Sequence, residues 1–408
     1  MPVAESVSLS ERVVPETAEA LADVVRSAAA AGTPVYPLGG ETALDYGLPA
    51  KTPGIGVSLA ALNRVVDYPA RDMTITVEAG ITMAELARTL AADGQRLPID
   101  APLADRATLG GVIATNQSGP LRYGHGTIRD YVIGIAAVDG RGRMFRGGGR
   151  VVKNVAGYDF CKLLVGSLGT LGVITQVTLK VKPLAPASAV VACDVGDWAD
   201  AERLLAALVH SAATPAFVEL AAGSAWQGPA AAARGVARLL VGVEGTAAEV
   251  RWMRDTLERE LRELGAEPHA LDDAGAATVR EQLTMFPARD GAPLVLKAAV
   301  RPSCVTQFAA LVREIDASAS LQAHAGNGIV VARFAEFTAG DVSRQLIGRL
   351  QPAAAAMGGN VVVLSCDAAI DLTRQARWGS TGAAGDLMRS VKRQFDPADV
   401  LNRGRFVY

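Results

Sequence analysis

Residues 34–42 have the sequence Pro-Val-Tyr-Pro-Leu-Gly-Gly-Glu-Thr, and this stretch decides how the first half of the chain is interpreted. Its first part, Pro34–Leu38, is predicted to be a strand, because a short apolar run follows the helix-stopping Gly32. The strand enters a loop at Gly39-Gly40, where successive main-chain N–H groups can surround an anionic oxygen and Thr42 can add a hydroxyl. A diphosphate group is the natural ligand of such a loop.

Further glycine-rich stretches follow, and glycine outside helices costs backbone entropy that needs a reason. They are Gly110-Gly111, Gly119–Gly126, Gly147–Gly149 and Gly166–Gly172. Tight turns are the alternative explanation for each stretch alone, and we favour it for Gly147–Gly149. No GxGxxG opens a helix after a strand, and no phosphate-loop lysine motif is present, so neither a Rossmann site nor a P-loop is expected. The last stretch has GxxGxxG spacing and precedes a strand.

Bulk composition predicts a soluble globular protein with two or three domains. The chain has 408 residues, 50% hydrophobic and 20% charged, and a net charge of −2, which indicates neither a nucleic-acid partner nor an anionic membrane surface. No signal peptide or membrane span is expected, so membrane contact would come only through a partner. The four cysteines (Cys161, Cys193, Cys304 and Cys366) form no CxxC pair, which predicts a cytoplasmic protein without its own iron–sulfur cluster.

Alternating helical and strand patterns predict an α+β protein in three parts, namely residues 1–185, 186–380 and a returning segment 381–408. In the first part we expect strands at 73–78, 132–138 and 173–182, the last with one solvent-exposed face. In the second part the expected strands are 188–195, 216–221, 237–244, 294–300, 320–324, 328–334 and 360–366. The expected helices there are 198–212, 247–264, 273–284, 304–318 and 340–356. This order suggests an antiparallel sheet covered by helices.

Several motifs occur in an order that resembles a known family. They are Val77-Glu-Ala-Gly80, Thr108-Leu-Gly-Gly111, Ser118-Gly-Pro-Leu-Arg-Tyr-Gly124, Arg129-Asp-Tyr131, Val152-Lys-Asn-Val-Ala-Gly-Tyr-Asp159, Gly166-Ser-Leu-Gly-Thr-Leu-Gly172 and Phe395-Asp-Pro-Ala-Asp-Val-Leu-Asn402. Together they resemble the FAD-binding domain of the vanillyl-alcohol-oxidase superfamily, also called PCMH-type. Within it they are most similar to the FAD-binding (E) subunits of glycolate oxidases. The match is close over residues 33–183 and about 388–406.

This resemblance implies a PCMH-type FAD-binding domain of two α/β subdomains, followed by an α+β cap domain with an antiparallel sheet. FAD would lie between the two subdomains, with its diphosphate on the main chain of Leu38–Leu44. Asn402 would approach the isoalloxazine ring from the C-terminal tail. A bulky side chain at Gly110 or Gly111 is expected to abolish FAD binding. The residues implied in FAD binding are Leu38, Gly39, Gly40, Glu41, Thr42, Ala43, Leu44, Pro102, Thr108, Leu109, Gly110, Gly111, Ala114, Thr115, Ser118, Gly119, Arg122, Gly124, Gly172, Val173, Ile174 and Asn402.

FAD is expected to be held without a covalent bond. Some relatives attach the flavin through a histidine or cysteine, but residues 34–50 contain neither. His125 is the only candidate in the first domain, and a polar loop residue is the simpler interpretation of it.

Oxidation of a 2-hydroxy acid needs a hydride acceptor, which flavin supplies, an acceptor for the hydroxyl proton and a partner for the carboxylate. Related D-2-hydroxyacid dehydrogenases hold a metal with an HxGDGNxH-like motif. Here His324 keeps the first histidine and Val331 replaces the second, so no metal site is expected. His324, Arg301 and Arg333 remain as candidate catalytic residues. For each of them a purely structural role is the alternative.

The resemblance implies an electron-transferring FAD subunit of a glycolate oxidase complex. Its expected partners are a second FAD subunit and an iron–sulfur subunit, and its expected substrate is a small 2-hydroxy acid. One alternative is a free-standing FAD-dependent dehydrogenase of another small hydroxy acid or alcohol that uses His324 and an arginine. A second is a scaffold subunit that has lost FAD.

Overall fold

The computed structural model describes residues 7–150, 158–288, 291–367 and 369–408. Within these residues the chain forms two compact units. The first unit draws on residues 1–118, 127–184 and 381–408, and the second on residues 119–126 and 185–380. Most of the predicted motif Val152–Asp159 lies outside the described residues.

The strands are short in the first unit and longer in the second. In chain order they are β1 (Leu9–Val13), β2 (Val35–Leu38), β3 (Gly54–Ser58), β4 (Val65–Asp67), β5 (Thr74–Glu78), β6 (Gln95–Arg96), β7 (Val132–Val138), β8 (Met144–Gly148), β9 (Val173–Lys180), β10 (Lys182–Pro183), β11 (Ala187–Val195), β12 (Phe217–Ala222), β13 (Ala237–Gly245), β14 (His269–Ala270), β15 (Leu294–Ala299), β16 (Ser320–His324), β17 (Ile329–Phe334) and β18 (Asn360–Cys366).

The α-helices vary from single turns to a helix of 17 residues. In chain order they are α1 (Ala18–Ala31), α2 (Met83–Ala91), α3 (Leu109–Thr115), α4 (Arg122–His125), α5 (Ile128–Tyr131), α6 (Phe160–Leu164), α7 (Trp198–Leu208), α8 (Gly228–Ala231), α9 (Ala247–Glu263), α10 (Asp273–Met285), α11 (Val305–Ile315), α12 (Ala339–Asp341), α13 (Gln351–Ala356), α14 (Arg374–Trp378) and α15 (Gly385–Phe395). A π-helical stretch, Val342–Leu350, joins α12 to α13.

The first unit contains two α/β layers. One is the parallel sheet β1-β3-β2, against which α1 packs its buried residues. Thr17 caps α1 at its start. The left-handed Gly32 ends the helix, as the sequence predicts. The other is the antiparallel sheet β4-β5-β9-β7-β8, which shares a core with α2 and α3.

The C-terminal segment is integrated into this unit. Leu401 forms a parallel bridge with Val35 of β2. Behind it the ammonium of Lys392 donates to the carboxylate of Asp396 at 2.6 Å and to the carbonyl oxygens of Thr170 and Leu401 at 3.0 Å each. Lys392 and Asp396 are 6% and 1% exposed, so this buried ion pair satisfies its charges internally.

The second unit is an eight-stranded antiparallel sheet in the order β14-β11-β13-β12-β16-β17-β15-β18. One face of the sheet packs against α7, α9, α11 and α13 in the larger of the unit's cores. The other face packs against α10 and α8 in a smaller core. The mixed fold of helices and antiparallel sheets confirms the predicted α+β class.

Strands 132–138, 320–324 and 360–366 have the predicted bounds. The prediction of one solvent-exposed face on strand 173–182 holds for Lys180, which is exposed, but it is wrong for Thr178. Thr178 is buried and its hydroxyl lies 2.9 Å from that of Thr76 in the neighbouring strand. Strands β1 and β3 and helix α3 were not predicted. Within the described residues, no helix combines the length and apolar character that crossing a bilayer requires.

Candidate functional site

The first unit contains an open cleft. Most of the residues implied in cofactor binding line it. They are Leu38, Gly39, Gly40, Glu41, Thr42, Ala43, Leu44, Thr108, Gly110, Gly111, Ala114, Thr115, Gly172, Val173, Ile174 and Asn402.

The Gly39-Gly40 turn lies directly against the segment that leads into α3. A Cβ on Gly39 would stand 2.2 Å from Thr108 Oγ1, and a Cβ on Gly40 would stand 1.6 Å from the carbonyl oxygen of Arg106. Neither position has room for a side chain, so contact between the two loops requires glycine there. The two loops predicted to hold the cofactor therefore meet in the first unit.

The loop after Gly39 presents main-chain donors to the cleft. In the part of the chain that the structure describes, the N–H groups of residues 40–44 make no hydrogen bond. Three non-glycine residues that line the cleft have left-handed φ angles, Glu41 at 58°, Leu168 at 51° and Asn402 at 45°. Such strained residues concentrate at functional sites. This arrangement of donors suits a ligand with anionic oxygens.

Polar side chains fix the shape of the cleft wall. Arg405 is 4% exposed and its guanidinium donates to the carbonyl oxygens of Leu44 and Tyr46. Asn402 donates to the carbonyl oxygen of Leu168. Tyr36 donates its hydroxyl to the carbonyl oxygen of Thr52 at 2.6 Å, and burial raises the pKa of this phenol. The C-terminal tail is thus part of the wall.

The glycines of α3 differ in their surroundings. A Cβ on Gly110 would meet Ala79 of the preceding strand segment at 2.9 Å, whereas a Cβ on Gly111 would meet only Thr108 Oγ1, at 3.2 Å. Gly110 is therefore explained by packing between helix and sheet. Gly111 is the position where an added side chain can enter the cleft without disturbing the core.

Six of the implied cofactor residues do not line the cleft. Pro102 and Leu109 are buried. Ser118 belongs to the first unit, and its buried hydroxyl makes no hydrogen bond to a described residue. Gly119, Arg122 and Gly124 belong to the second unit.

Sequence analysis also missed residues that line the cleft. They are Val7, Tyr36, Pro37, Tyr46, Leu59, Gln117, Leu168, Gly169 and Arg405. Most are apolar or lie outside a glycine motif, so no local pattern indicated them. Arg405 lies three residues after Asn402, where the C-terminal motif ends, so a motif extended by three residues would have included it.

His125 lies in the second unit, and its Nε2 is 3.1 Å from Glu244 Oε2. The described residues that line the cleft of the first unit include neither histidine nor cysteine.

The second unit carries a buried polar cluster on the face of its sheet that packs against α10. Nδ1 of His324 in β16 lies 2.7 Å from Glu219 Oε1 in β12. Gln322 donates its amide to the other carboxylate oxygen of Glu219 at 2.9 Å. Glu219 and Gln322 are fully buried and His324 is 3% exposed. Cross-strand register places the three side chains together, since Glu219 pairs with His324 and Gln322 is two residues away.

Two cations without a hydrogen-bonded partner among the described residues lie on the same side of this sheet. Lys297 stands opposite Val331 in the next strand, and Val331 stands opposite Gln322. Burial lowers the pKa of the Lys297 ammonium to about 8, and the positive Arg122 lowers it further. Arg280 lies on α10, and two of its guanidinium nitrogens are buried without a hydrogen bond. Lys297 and Arg280 are partly buried residues, and cations that lose water without gaining a partner suit an anionic ligand.

The structure does not bring the three predicted catalytic residues together. Arg333 is four residues beyond Ile329, the partner of His324, which is roughly 13 Å along the strand. Its guanidinium lies over the ring of Phe286 at 5.3 Å. Arg301 is exposed and its side chain lies near Gly358.

No group of three or more histidine, cysteine or acidic side chains in the described residues could hold a metal ion. The sequence interpretation missed Glu219, Lys297 and Arg280. A signal for the first two exists, because Ala216-Phe-Val-Glu-Leu-Ala-Ala222 and Leu294-Val-Leu-Lys-Ala-Ala299 each place one charge inside an apolar strand.

Comparison with known families gives two matches that together span most of the chain. Residues 10–148 match the model described as FAD binding domain. Residues 184–406 match the model described as FAD linked oxidases, C-terminal domain.

Individual relatives match over part of their length. The chain is 36% identical over 171 residues to glycolate oxidase subunit GlcE of Escherichia coli, covering 42% of this chain and 48% of the relative. It is 33% identical over 208 residues to the mitochondrial D-lactate dehydrogenase [cytochrome] of Arabidopsis thaliana, covering 51% and 36%. The chain thus spans half or less of the length of these two relatives.

Among solved structures, p-cresol methylhydroxylase with substrate bound superposes with a TM-score of 0.75 at 17% identity. The match covers 99% of this chain and 90% of the other. At this identity the likeness concerns the fold alone.

Proposed function

Because this chain belongs to the family of FAD-linked oxidases, we propose that it binds one FAD non-covalently in the cleft of its first unit. It then serves as the FAD-binding subunit of a glycolate oxidase or similar 2-hydroxyacid dehydrogenase complex. Electrons pass from the hydroxy acid through FAD to partner subunits.

The observation that carries this proposal is the meeting of residues 38–44 with α3 around one open cleft. Free main-chain N–H groups of residues 40–44 suit the two phosphates of FAD, and Thr42 adds a hydroxyl. Leu168, Val173 and Ile174 offer apolar surface to the ring system. The cleft walls fit the cofactor that the family matches indicate.

Bound FAD supplies a two-electron acceptor for the C–H hydrogen of a hydroxy acid. Residues of the second unit are proposed to bind the substrate carboxylate and to accept the hydroxyl proton. Lys297 and Arg280 can pair with the substrate carboxylate, because both lack a hydrogen-bonded partner among the described residues. His324 can take the hydroxyl proton. Arg301 and Arg333 are not proposed for this role, because the structure does not bring them together with His324.

The partners are proposed from the subunit character of the GlcE relative, and we expect a second FAD subunit and an iron–sulfur subunit. The four cysteines of the chain are scattered, and no group of three or more histidine, cysteine or acidic side chains in the described residues could hold a metal ion, so the cluster is assigned to another chain. The same reduced cysteines support a cytoplasmic location.

A free-standing dehydrogenase of a small hydroxy acid or alcohol is the second candidate. The observation that favours it is the Glu219–His324 pair, which equips this chain with a proton acceptor of its own.

The test begins with the purified chain, which should be yellow, with a flavin absorbance at about 450 nm. Acid precipitation should release all of this flavin into the supernatant. Glycolate and D-lactate are then added without oxygen, first to the chain alone and next to the complex isolated through a tag on it.

Flavin bleaching only in the complex supports the subunit role, and rapid bleaching of the chain alone supports the second candidate. A colourless chain that takes up no FAD contradicts both. Flavin that remains in the precipitate contradicts non-covalent binding.

A further inference from the structure

The two ring nitrogens of His324 have different surroundings. Nδ1 lies 2.7 Å from Glu219 Oε1, whereas Nε2 makes no hydrogen bond to any residue that the structure describes. The other carboxylate oxygen, Glu219 Oε2, accepts a hydrogen bond from Gln322 at 2.9 Å. Each Glu219 oxygen therefore has a hydrogen-bond partner, and the orientation of the carboxylate is fixed.

This geometry selects one tautomer of the neutral imidazole. An ionised carboxylate can only accept hydrogen bonds, so the nitrogen that faces it must carry the proton. With the proton on Nδ1, Nε2 keeps a free lone pair. Nε2 is then a proton acceptor in a buried setting.

Further polar atoms around His324 lack partners. Oε1 of Gln322 and Oδ1 of Asn327 are buried without a hydrogen bond to a described residue, and Asn327 lies in the turn directly after His324. Buried polar atoms normally find a partner in the protein, in water or in a ligand. Their presence beside a histidine with a free nitrogen indicates a place for a polar ligand. A histidine that serves packing alone does not explain them.

We propose that Glu219 is a positioning residue that holds His324 with Nε2 ready to accept the hydroxyl proton of the substrate. The inference rests on the proposed function, in which bound FAD would supply the hydride acceptor. The C–H bond and the O–H bond break, the carbon–oxygen bond becomes a carbonyl, and the proton forms a new bond to Nε2. The Glu219 carboxylate balances the charge of the imidazolium that results.

Nitrogen NMR of the FAD-loaded chain labelled with ¹⁵N-histidine tests the tautomer directly. The chain has four histidines, so the spectrum is simple, and His324→Asn identifies the signals of His324. We expect a protonated Nδ1 and an unprotonated Nε2. A proton on Nε2 of the neutral ring overturns the proposal, and this result requires no active variant.

Glu219→Gln tests the consequence for turnover in the complex or the chain, whichever reduces its flavin with a hydroxy acid. Since Gln322 donates to one end of residue 219, the new amide places its own N–H₂ toward Nδ1, and the Nε2 lone pair is lost. We expect kcat to fall by about 10²-fold to 10⁴-fold, the usual contribution of a general base, with KM changed less than about threefold.

Glu244→Gln is the matched control, since Glu244 also faces a histidine, His125, in the same unit. It should leave kcat within about twofold, because a pair outside the proposed proton path contributes little. Equal losses in the two variants overturn the positioning role, as does an unchanged kcat in Glu219→Gln.

The flavin spectrum separates this inference from the proposed function. If FAD is bound and hydroxy acids bleach it but His324 has the other tautomer, only the inference fails. If the chain never binds FAD, the proposed function fails. If FAD is bound but no offered hydroxy acid bleaches it in chain or complex, the proton-accepting role is rejected.

Discussion

In the first unit the candidate cofactor cleft is lined by glycine-rich loops and mostly uncharged side chains, whereas in the second unit the polar cluster consists of long side chains on three strands. The cleft needs close backbone approach, which Gly39 and Gly40 permit. The cluster needs buried polar side chains, which Glu219, Gln322 and His324 supply. A site of the first kind binds by shape and main-chain donors, and a site of the second kind performs proton and charge chemistry.

The largest expected effect comes from the buried ion pair of Lys392 and Asp396. Lys392→Met leaves Asp396 buried without its cation and should cost about 3–5 kcal/mol of stability. FAD should also dissociate more readily, because Lys392 holds the carbonyl oxygens of Thr170 and Leu401 beside the cleft. Urea unfolding and flavin release measure the two effects. Lys162→Met breaks an exposed pair with Asp159 and should cost less than about 1 kcal/mol of stability. Equal losses of stability in the two variants would contradict a stabilising role of the buried Lys392–Asp396 pair.

The side-chain cluster can be tested through pH. The folded pKa of Lys297 is lowered to about 8 from 10.5, so between these values the unfolded state binds more protons and stability rises with pH. The rise should be at most about 3 kcal/mol. Lys297→Met removes it and should be more stable than the native chain below pH 8. Paired urea unfolding curves across this range give the difference, and a constant difference contradicts a lowered pKa of the Lys297 ammonium.

Gly111→Val sharpens the comparison at a single main-chain position. The new Cβ meets only Thr108 Oγ1, at 3.2 Å, and the side chain should enter the cleft, so FAD affinity should fall at least about tenfold, or about 1.4 kcal/mol, while the fold is kept. Calorimetric titration of the flavin-free chain measures this. Gly196→Val in the second unit, where a Cβ meets nothing within 4 Å, should leave affinity unchanged.

The smallest effect separates helix capping from cofactor binding. Thr108→Val and Thr82→Val each remove a side chain that caps a helix of the first unit, and each should cost about 1 kcal/mol of stability. Only Thr108 lines the cleft, so only its replacement should also weaken FAD binding. Thermal unfolding with and without FAD distinguishes the two variants. If both variants weaken FAD binding equally, Thr108 does not belong to the site.

Sequence analysis located the cleft better than the cluster, and the reason is physical. Close backbone approach demands glycine, and glycines at Gly39, Gly40 and Gly111 are visible as local motifs. Even so, the motif did not separate Gly110, which packs against Ala79, from Gly111, where an added Cβ would meet only Thr108 Oγ1.

The cluster depends on contacts that no local pattern contains. Glu219 and His324 are separated by more than one hundred residues and meet only through strand pairing. In the sequence His324 stands alone, because its carboxylate partner Glu219 lies on another strand. Arg301 and Arg333 were plausible cations by position in the chain, but the register of β17 directs Arg333 toward Phe286.

Binding of flavin fragments tests the central claim most directly, namely that main-chain N–H groups of residues 40–44 hold the cofactor by its phosphates. The flavin-free chain is titrated with FAD, FMN and riboflavin. Loss of both phosphates should weaken binding by at least about 10²-fold, since hydrogen bonds to charged groups contribute about 1.5–3 kcal/mol each. Riboflavin that binds as tightly as FAD would contradict the account.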